Sequence, residues 1–401
     1  MNILVFLFLI LDTTLLFFET SRLCISYEEV EALQHSNSFI YIFVNFFLEY
    51  FGHNDFVLRL PMILLHELST VLVYLISKEY LKYEKDRVWL VVIFLLLPGV
   101  ISSALVVNSA GFIIFGLLFF IFSYQKFKEK AIFVLFPFYF VADANFIYLF
   151  LALSFYSFFK KNYYLFFYSF SFLVAATLVY GLNIKGVPSG HFLDVLALYS
   201  AVFTPFIFIY LFYVLYRRYL LKKVDIVWFI ASITLIYALL LSFRQSLGVE
   251  NIAPYLIMAL FLAAENFEKV YRLRVKEFRL KYKIAFFFAF SFLVLNSFVL
   301  LLNKELYPFL DKPKNNFIYN FDIAKELARN LKSRNINCIT TEKKMMQRLK
   351  FYNIAKCQEY KLTPLKNTKE FNKKDYVTVR YKDIVLYRGY VTKLNKIKST
   401  K

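Results

Sequence analysis

Three carboxylates fall within four positions in the stretch Arg22-Leu-Cys-Ile-Ser-Tyr27-Glu28-Glu29-Val-Glu31-Ala-Leu, just after an apolar run from Met1 to Phe18. Carboxylates held at the edge of a membrane anchor, beside a lipid-borne substrate, have the chemistry of a general base that takes the proton of an acceptor hydroxyl. The competing reading is a solvated acidic loop, or carboxylates paired with Arg22 or Arg59, and spacing alone favours it. Phe39–Phe51 is aromatic and amphipathic but too short to span, so it is expected to lie in the interface. His66-Glu67 falls inside the next apolar run. A carboxylate there costs roughly 2.5–3.5 kcal/mol and should face other helices, as a proton-coupling group or a polar link. An ion-coupled carrier would need Glu67 to meet another polar group at the midplane, and the remaining runs offer no second buried acid–base pair. Gly181–Asp194 gathers three glycines and one proline, the pattern of a bend near a ligand or of an ordinary turn. His191 and Asp194 lie there, but four scattered histidines make no metal signature, and no metal is expected.

The elements that must position these groups are set by composition. Of 401 residues, 60% are hydrophobic, 21% aromatic and 19% charged, against roughly 45–50% apolar and about 25% charged in a soluble domain. With 9 glycines and 9 prolines, collagen-like and low-complexity disordered chains are excluded. What remains is a polytopic helical membrane protein with one soluble appendage. Met1–Phe18 lacks a basic n-region and a small-residue cleavage site before Arg22, so it reads as an uncleaved anchor. Further apolar runs lie at roughly 58–79, 88–106, 110–125, 131–142, 144–159, 163–181, 194–215, 226–243, 251–266 and 284–303. With the anchor they make about eleven transmembrane helices.

Lys and Arg alternate between the loops. Lys78 to Arg87, Lys126 to Lys130, Lys160-Lys161, Arg217 to Lys223 and Arg272 to Lys283 form a basic set, while the opposite loops hold little beyond Arg22, Arg59, Lys185 and Arg244. The positive-inside rule then puts the basic loops and the amino terminus in the cytoplasm and residues 304–401 outside. The net charge of +20 is concentrated in that tail, with about 24 Lys/Arg against about 9 acids. It reads as topology and a Lys-rich surface, with no nucleic acid implied. The tail is expected to be a small α/β domain: helices at Phe321–Lys332 and Lys343–Tyr352, a strand at Ile336–Thr340, and two strands, Asp375–Tyr381 and Asp383–Tyr390, joined by a tight turn. The division is thus 1–303 in the membrane, with a first outer loop at about 19–57, and 304–401 outside it. Cys338 and Cys357 pair if the tail meets an oxidising compartment; three unpaired cysteines are the alternative.

Glu28-Glu29-x-x-Ala32-Leu, His35 and Ile40-Tyr41, followed by Phe51-Gly52-His-Asn-Asp55-Phe-Val-Leu-Arg59-Leu60-Pro61, resemble the first loop of the GT-C glycosyltransferases. These are polyprenyl-phosphate-sugar enzymes, among them the protein O-mannosyltransferases and the lipid A aminoarabinose transferase. The resemblance covers roughly residues 20–125, with weaker echoes from Arg244 to Pro254 and at Arg348-Leu-Lys-Phe-Tyr352. It implies a GT-C-like bundle in a bacterial cytoplasmic membrane, moving a sugar from polyprenyl phosphate to lipid A, a glycan or a protein on the outer face, with inversion at the anomeric carbon. Glu28 or Glu29 would be the base. His35 and Tyr41 would line the substrate, and Arg59, Lys185 and Arg244 would meet the phosphate, whose oxygens suit a planar guanidinium. No cofactor is implied, and a divalent cation has no support in the sequence. Two positions depart from the family: Glu28-Glu29 stands where Asp-Glu is usual, and no acid lies between Pro98 and Lys126, where relatives carry an aspartate near Asn108. Asp143 is the nearest substitute. The alternative is a catalytically silent relative that binds or translocates a lipid-linked saccharide.

Overall fold

The computed structural model describes residues 2–36, 38–181, 190–274, 279–365 and 376–393. The apolar runs fold as helices: α1 (Ile3–Arg22), α2 (Tyr27–His35), α3 (Phe39–Phe51), α4 (Asp55–Tyr80), α5 (Glu84–Leu96), α6 (Pro98–Leu105), α7 (Ser109–Phe127) and α8 (Glu129–Ala142). They continue as α9 (Ile147–Phe159), α10 (Tyr163–Tyr180), α11 (Phe192–Phe203), α12 (Pro205–Leu220), α13 (Ile226–Ser242), α14 (Val249–Ile257), α15 (Ala259–Leu273) and α16 (Arg279–Leu301). The tail adds α17 (Ala324–Lys332), α18 (Lys343–Phe351) and strands β1 (Tyr360–Pro364), β2 (Tyr376–Tyr381) and β3 (Ile384–Lys393).

The expectation of eleven spans is corrected. Among the described residues five helices, α1, α4, α7, α10 and α16, are long and apolar enough to cross a membrane. The number rises to seven if the bent pairs α5–α6 (59°) and α11–α12 (105°) each count as one. The reason lies in local breaks that an apolar average does not see. Pro98 and Pro205 open α6 and α12, where the ring's missing N–H cannot continue the preceding helix. Asp143 accepts from Asn145 N and so divides α8 from α9, leaving helices of 14 and 13 residues. At a rise of 1.5 Å per residue these reach only about 20 Å, short of a hydrocarbon core of about 30 Å.

The chain groups into two compact units. Residues 1–15, 37–40 and 62–297 form a helical unit, and residues 16–36, 41–61 and 298–401 form the other. In the first, Phe120, Phe136, Tyr139, Phe146 and Phe150 are fully buried and in mutual ring contact. Glycine permits the close approach of α6 and α7: a Cβ on Gly111 would come within 2.9 Å of the Ser103 carbonyl oxygen.

In the second unit, Ile323, Leu327, Leu331, Leu349, Leu362, Val377 and Val379 form the core of the tail. The sheet is antiparallel in the order β1-β3-β2, and β2 and β3 join at a tight turn with Lys382 at φ +51°. Both expected helices form, as does the expected hairpin. The expected strand at Ile336–Thr340 does not; that stretch makes two isolated parallel bridges, Cys338 with Ala355 and Thr340 with Lys361. The strand at Tyr360–Pro364 was not expected, because its five residues are mostly polar and only Leu362 is buried. Cys338 and Cys357 form a disulfide across a separation of 19 residues, and Cys24 is a buried free thiol. A loop of that size implies about 3 kcal/mol of stabilisation. A Cys338→Ser/Cys357→Ser chain should therefore lose about that much in denaturant unfolding of the tail, and an unchanged midpoint would show the bridge to be dispensable.

Candidate functional site

The acidic loop becomes the capped helix α2. Ser26 is its N-cap: the Ser26 hydroxyl accepts from Glu29 N at 3.1 Å, and Glu29 Oε2 accepts from Ser26 N at 2.8 Å, a reciprocal capping box. This fixes Glu29 inward. Its Oε2 lies 3.7 Å from Arg59 Nη2, both side chains are buried, and Arg59 Nη2 also donates to Cys24 O at 3.1 Å. The electrostatic reading of the loop, pairing with Arg59, is what the geometry contains. Glu28, one position earlier, is exposed.

A second set of contacts holds the same segment. Arg348, on α18, donates through Nε to Ile25 O at 3.0 Å and also bonds Asn320 O. The Tyr352 hydroxyl accepts from Ile25 N at 3.1 Å and donates to Asp55 Oδ1 at 2.6 Å, while Lys325 Nζ lies 2.9 Å from Asp55 Oδ2. Burial, then the nearby Cys24 and Asp55, push the Tyr352 phenol far above its ordinary range, so it remains a donor at any physiological pH. A Tyr352→Phe variant leaves Asp55 Oδ1 and the Ile25 N–H short of a buried partner. It should cost about 1–3 kcal/mol in thermal or denaturant unfolding; a wild-type midpoint would mean that water replaces the hydroxyl.

Of the other expected site residues, His35 is exposed at the last turn of α2 and Tyr41 is buried in α3. Asp143 belongs to the helical unit, where Ser38 Oγ donates to its Oδ2 at 2.5 Å and Asn145 N and Nδ2 donate to Oδ1 at 2.8 Å. Arg244 is exposed in the turn after α13. Lys185 lies outside the described residues. His191 Nδ1 is 2.9 Å from Asp194 Oδ2 at an exposed position. Asn108 caps α7 by accepting from Ala110 N at 3.0 Å. The structure therefore joins Glu29 with Arg59, and Asp143 with Ser38.

One constellation escaped the sequence reading. Asp12, midway along α1, has its Oδ2 2.8 Å from His66 Nε2, midway along α4. Thr13 Oγ1 donates to Glu67 Oε1 at 2.7 Å. The polar partner that an ion-coupled carrier requires for Glu67 is present. The signal was available: Asp12 is the acid in the first apolar run, and Thr13 and Thr14 follow it. The chain matches no protein-family model, no curated protein and no solved structure.

Proposed function

We propose that the protein is a GT-C-like glycosyltransferase that moves a sugar or amino sugar from a polyprenyl-phosphate donor to a lipid, glycan or protein acceptor on the outer face of a bacterial cytoplasmic membrane. One observation carries the reading: the adjacent glutamates differ in burial. Glu29 is buried in its capping box and beside Arg59, and the helix it anchors leaves Glu28 exposed in the first turn. Glu28 is then the base that takes the acceptor's proton, and Glu29 with Arg59 are positioning residues that hold its helix. The donor's leaving group is a phosphate, so beyond a base the reaction needs cationic donors for the charge that develops on the phosphate oxygens.

The amphipathic stretch Phe39–Phe51 forms the helix α3, of a length and composition suited to lie in the interface, and it supports the reading, as does a disulfide in the tail, which fits an oxidising compartment. A silent relative that binds or translocates a lipid-linked saccharide is the second reading, favoured by Asn108 serving as a helix cap where an acid would be needed. Mass spectrometry of lipid and lipopolysaccharide extracts from a deletion strain complemented with wild type or with Glu28→Gln separates the two. Loss of a glycan modification that wild type restores and Glu28→Gln does not, with the polyprenyl-phosphate sugar still accumulating, supports transfer. Full restoration by Glu28→Gln contradicts it.

A further inference from the structure

We propose that Asp12, His66 and Glu67 form a binding site for a divalent transition-metal ion between α1 and α4. One donor atom from each, a carboxylate oxygen twice and an imidazole nitrogen, lies within 4.8 Å of the other two. One imidazole with two carboxylates is a donor set for Zn²⁺ and the neighbouring first-row dications, whereas Mg²⁺ and Ca²⁺ take oxygen alone. At bond lengths of about 2.0–2.2 Å, tetrahedral donors stand roughly 3.4 Å apart, so the Asp12–His66 pair at 2.8 Å must open slightly and separations of up to 4.8 Å must close by up to about 1.4 Å, a movement within reach of side-chain rotation. Thr13, donating to Glu67 Oε1 at 2.7 Å, is the group that orients that carboxylate.

The placement of the cluster is a second argument. The cluster sits at mid-length in two of the helices long and apolar enough to cross a membrane, with His66 buried and its ring stacked on Phe94. Among the described residues no Lys or Arg pairs with any of the three; the one ion pair is Asp12 with His66. A carboxylate at that depth is costly unless a cation meets it. A dication bound to two carboxylates and a neutral imidazole brings the sum to zero and releases whatever protons the cluster held. A dipositive ion therefore fits the cluster's charge as well as its donor types. The site is independent of the Glu28 chemistry, since it stands on a different pair of contacts.

The test uses the full chain purified in detergent and stripped with chelator. Co²⁺, whose visible absorption reports nitrogen and oxygen ligation, should bind at about one equivalent, and Zn²⁺ should displace it while Mg²⁺ and Ca²⁺ do not. Asp12→Asn and Glu67→Gln should each weaken binding by at least about 100-fold. Thr13→Val, which keeps all three donors, should weaken it roughly 10-fold. Asp194→Asn, at the exposed His191 pair, should leave it unchanged. A stripped wild-type chain that takes up no Co²⁺ overturns the proposal. So does an Asp12→Asn chain that binds as tightly as wild type, and the cluster is then a hydrogen-bonded link between two helices.

Discussion

An Arg59→Met variant is expected to lose about 3–5 kcal/mol of stability, because it leaves Glu29 as a buried carboxylate without its cation. Set against a total of roughly 5–15 kcal/mol for a folded domain, that loss should show as poor accumulation and a sharply lower melting point in detergent. The pair is expected to be replaceable as a unit. Well-packed apolar residues in place of a buried ion pair are often neutral or stabilising, so Arg59→Met with Glu29→Leu should recover most of the loss. The recovery will be incomplete, since Leu cannot return the capping-box bond to Ser26 N. If Arg59→Met melts with the wild type, the buried pair does not hold the segment, and the positioning role assigned to it falls.

The second large effect is on chemistry alone. Glu28→Gln changes an exposed side chain, so its effect on stability should stay within about 0.5 kcal/mol. Loss of a general base lowers turnover by about 10²–10⁴-fold. Glu28→Gln should therefore keep the wild-type melting point and lose transfer. Glu29→Gln should lose stability and transfer together. Membranes bearing each variant at matched abundance, assayed for turnover and for melting, separate these patterns. Equal melting loss in both would mean that Glu28 also serves only the fold.

Much of this organisation is legible in the residues. The amphipathic run Phe39–Phe51 becomes a helix with those bounds, because its composition specifies a helix of one length and no break interrupts it. The two tail helices and the β2–β3 hairpin follow from periodicity and a two-residue turn. The number of spans was not legible, because an average over apolar residues does not register a Leu97-Pro98 or Thr204-Pro205 break, or an aspartate that caps a short turn. The strand Tyr360–Pro364 was hidden for a related reason: its pairing with β3, and no pattern of its own, makes it a strand.

At the candidate site the sequence singled out the segment and left its electrostatics open between catalysis and pairing. Sorting Glu28 from Glu29 required the capping geometry, since adjacent helical residues point about 100° apart and only the backbone bonds decide which turns inward. Asp12 interrupts the first apolar run, but its partner is 54 positions away on another helix. Separations of that kind carry no local signal.

In the proposed reaction Glu28, exposed on α2, takes the acceptor's proton. The most direct measurement is mass spectrometry of lipid and lipopolysaccharide extracts from a deletion strain complemented with wild type or with Glu28→Gln, each confirmed at equal abundance in the membrane. Wild type should restore the missing modification and Glu28→Gln should leave it missing, with the polyprenyl-phosphate sugar still accumulating. Full restoration by Glu28→Gln would contradict it, and the binding or translocation reading would take its place.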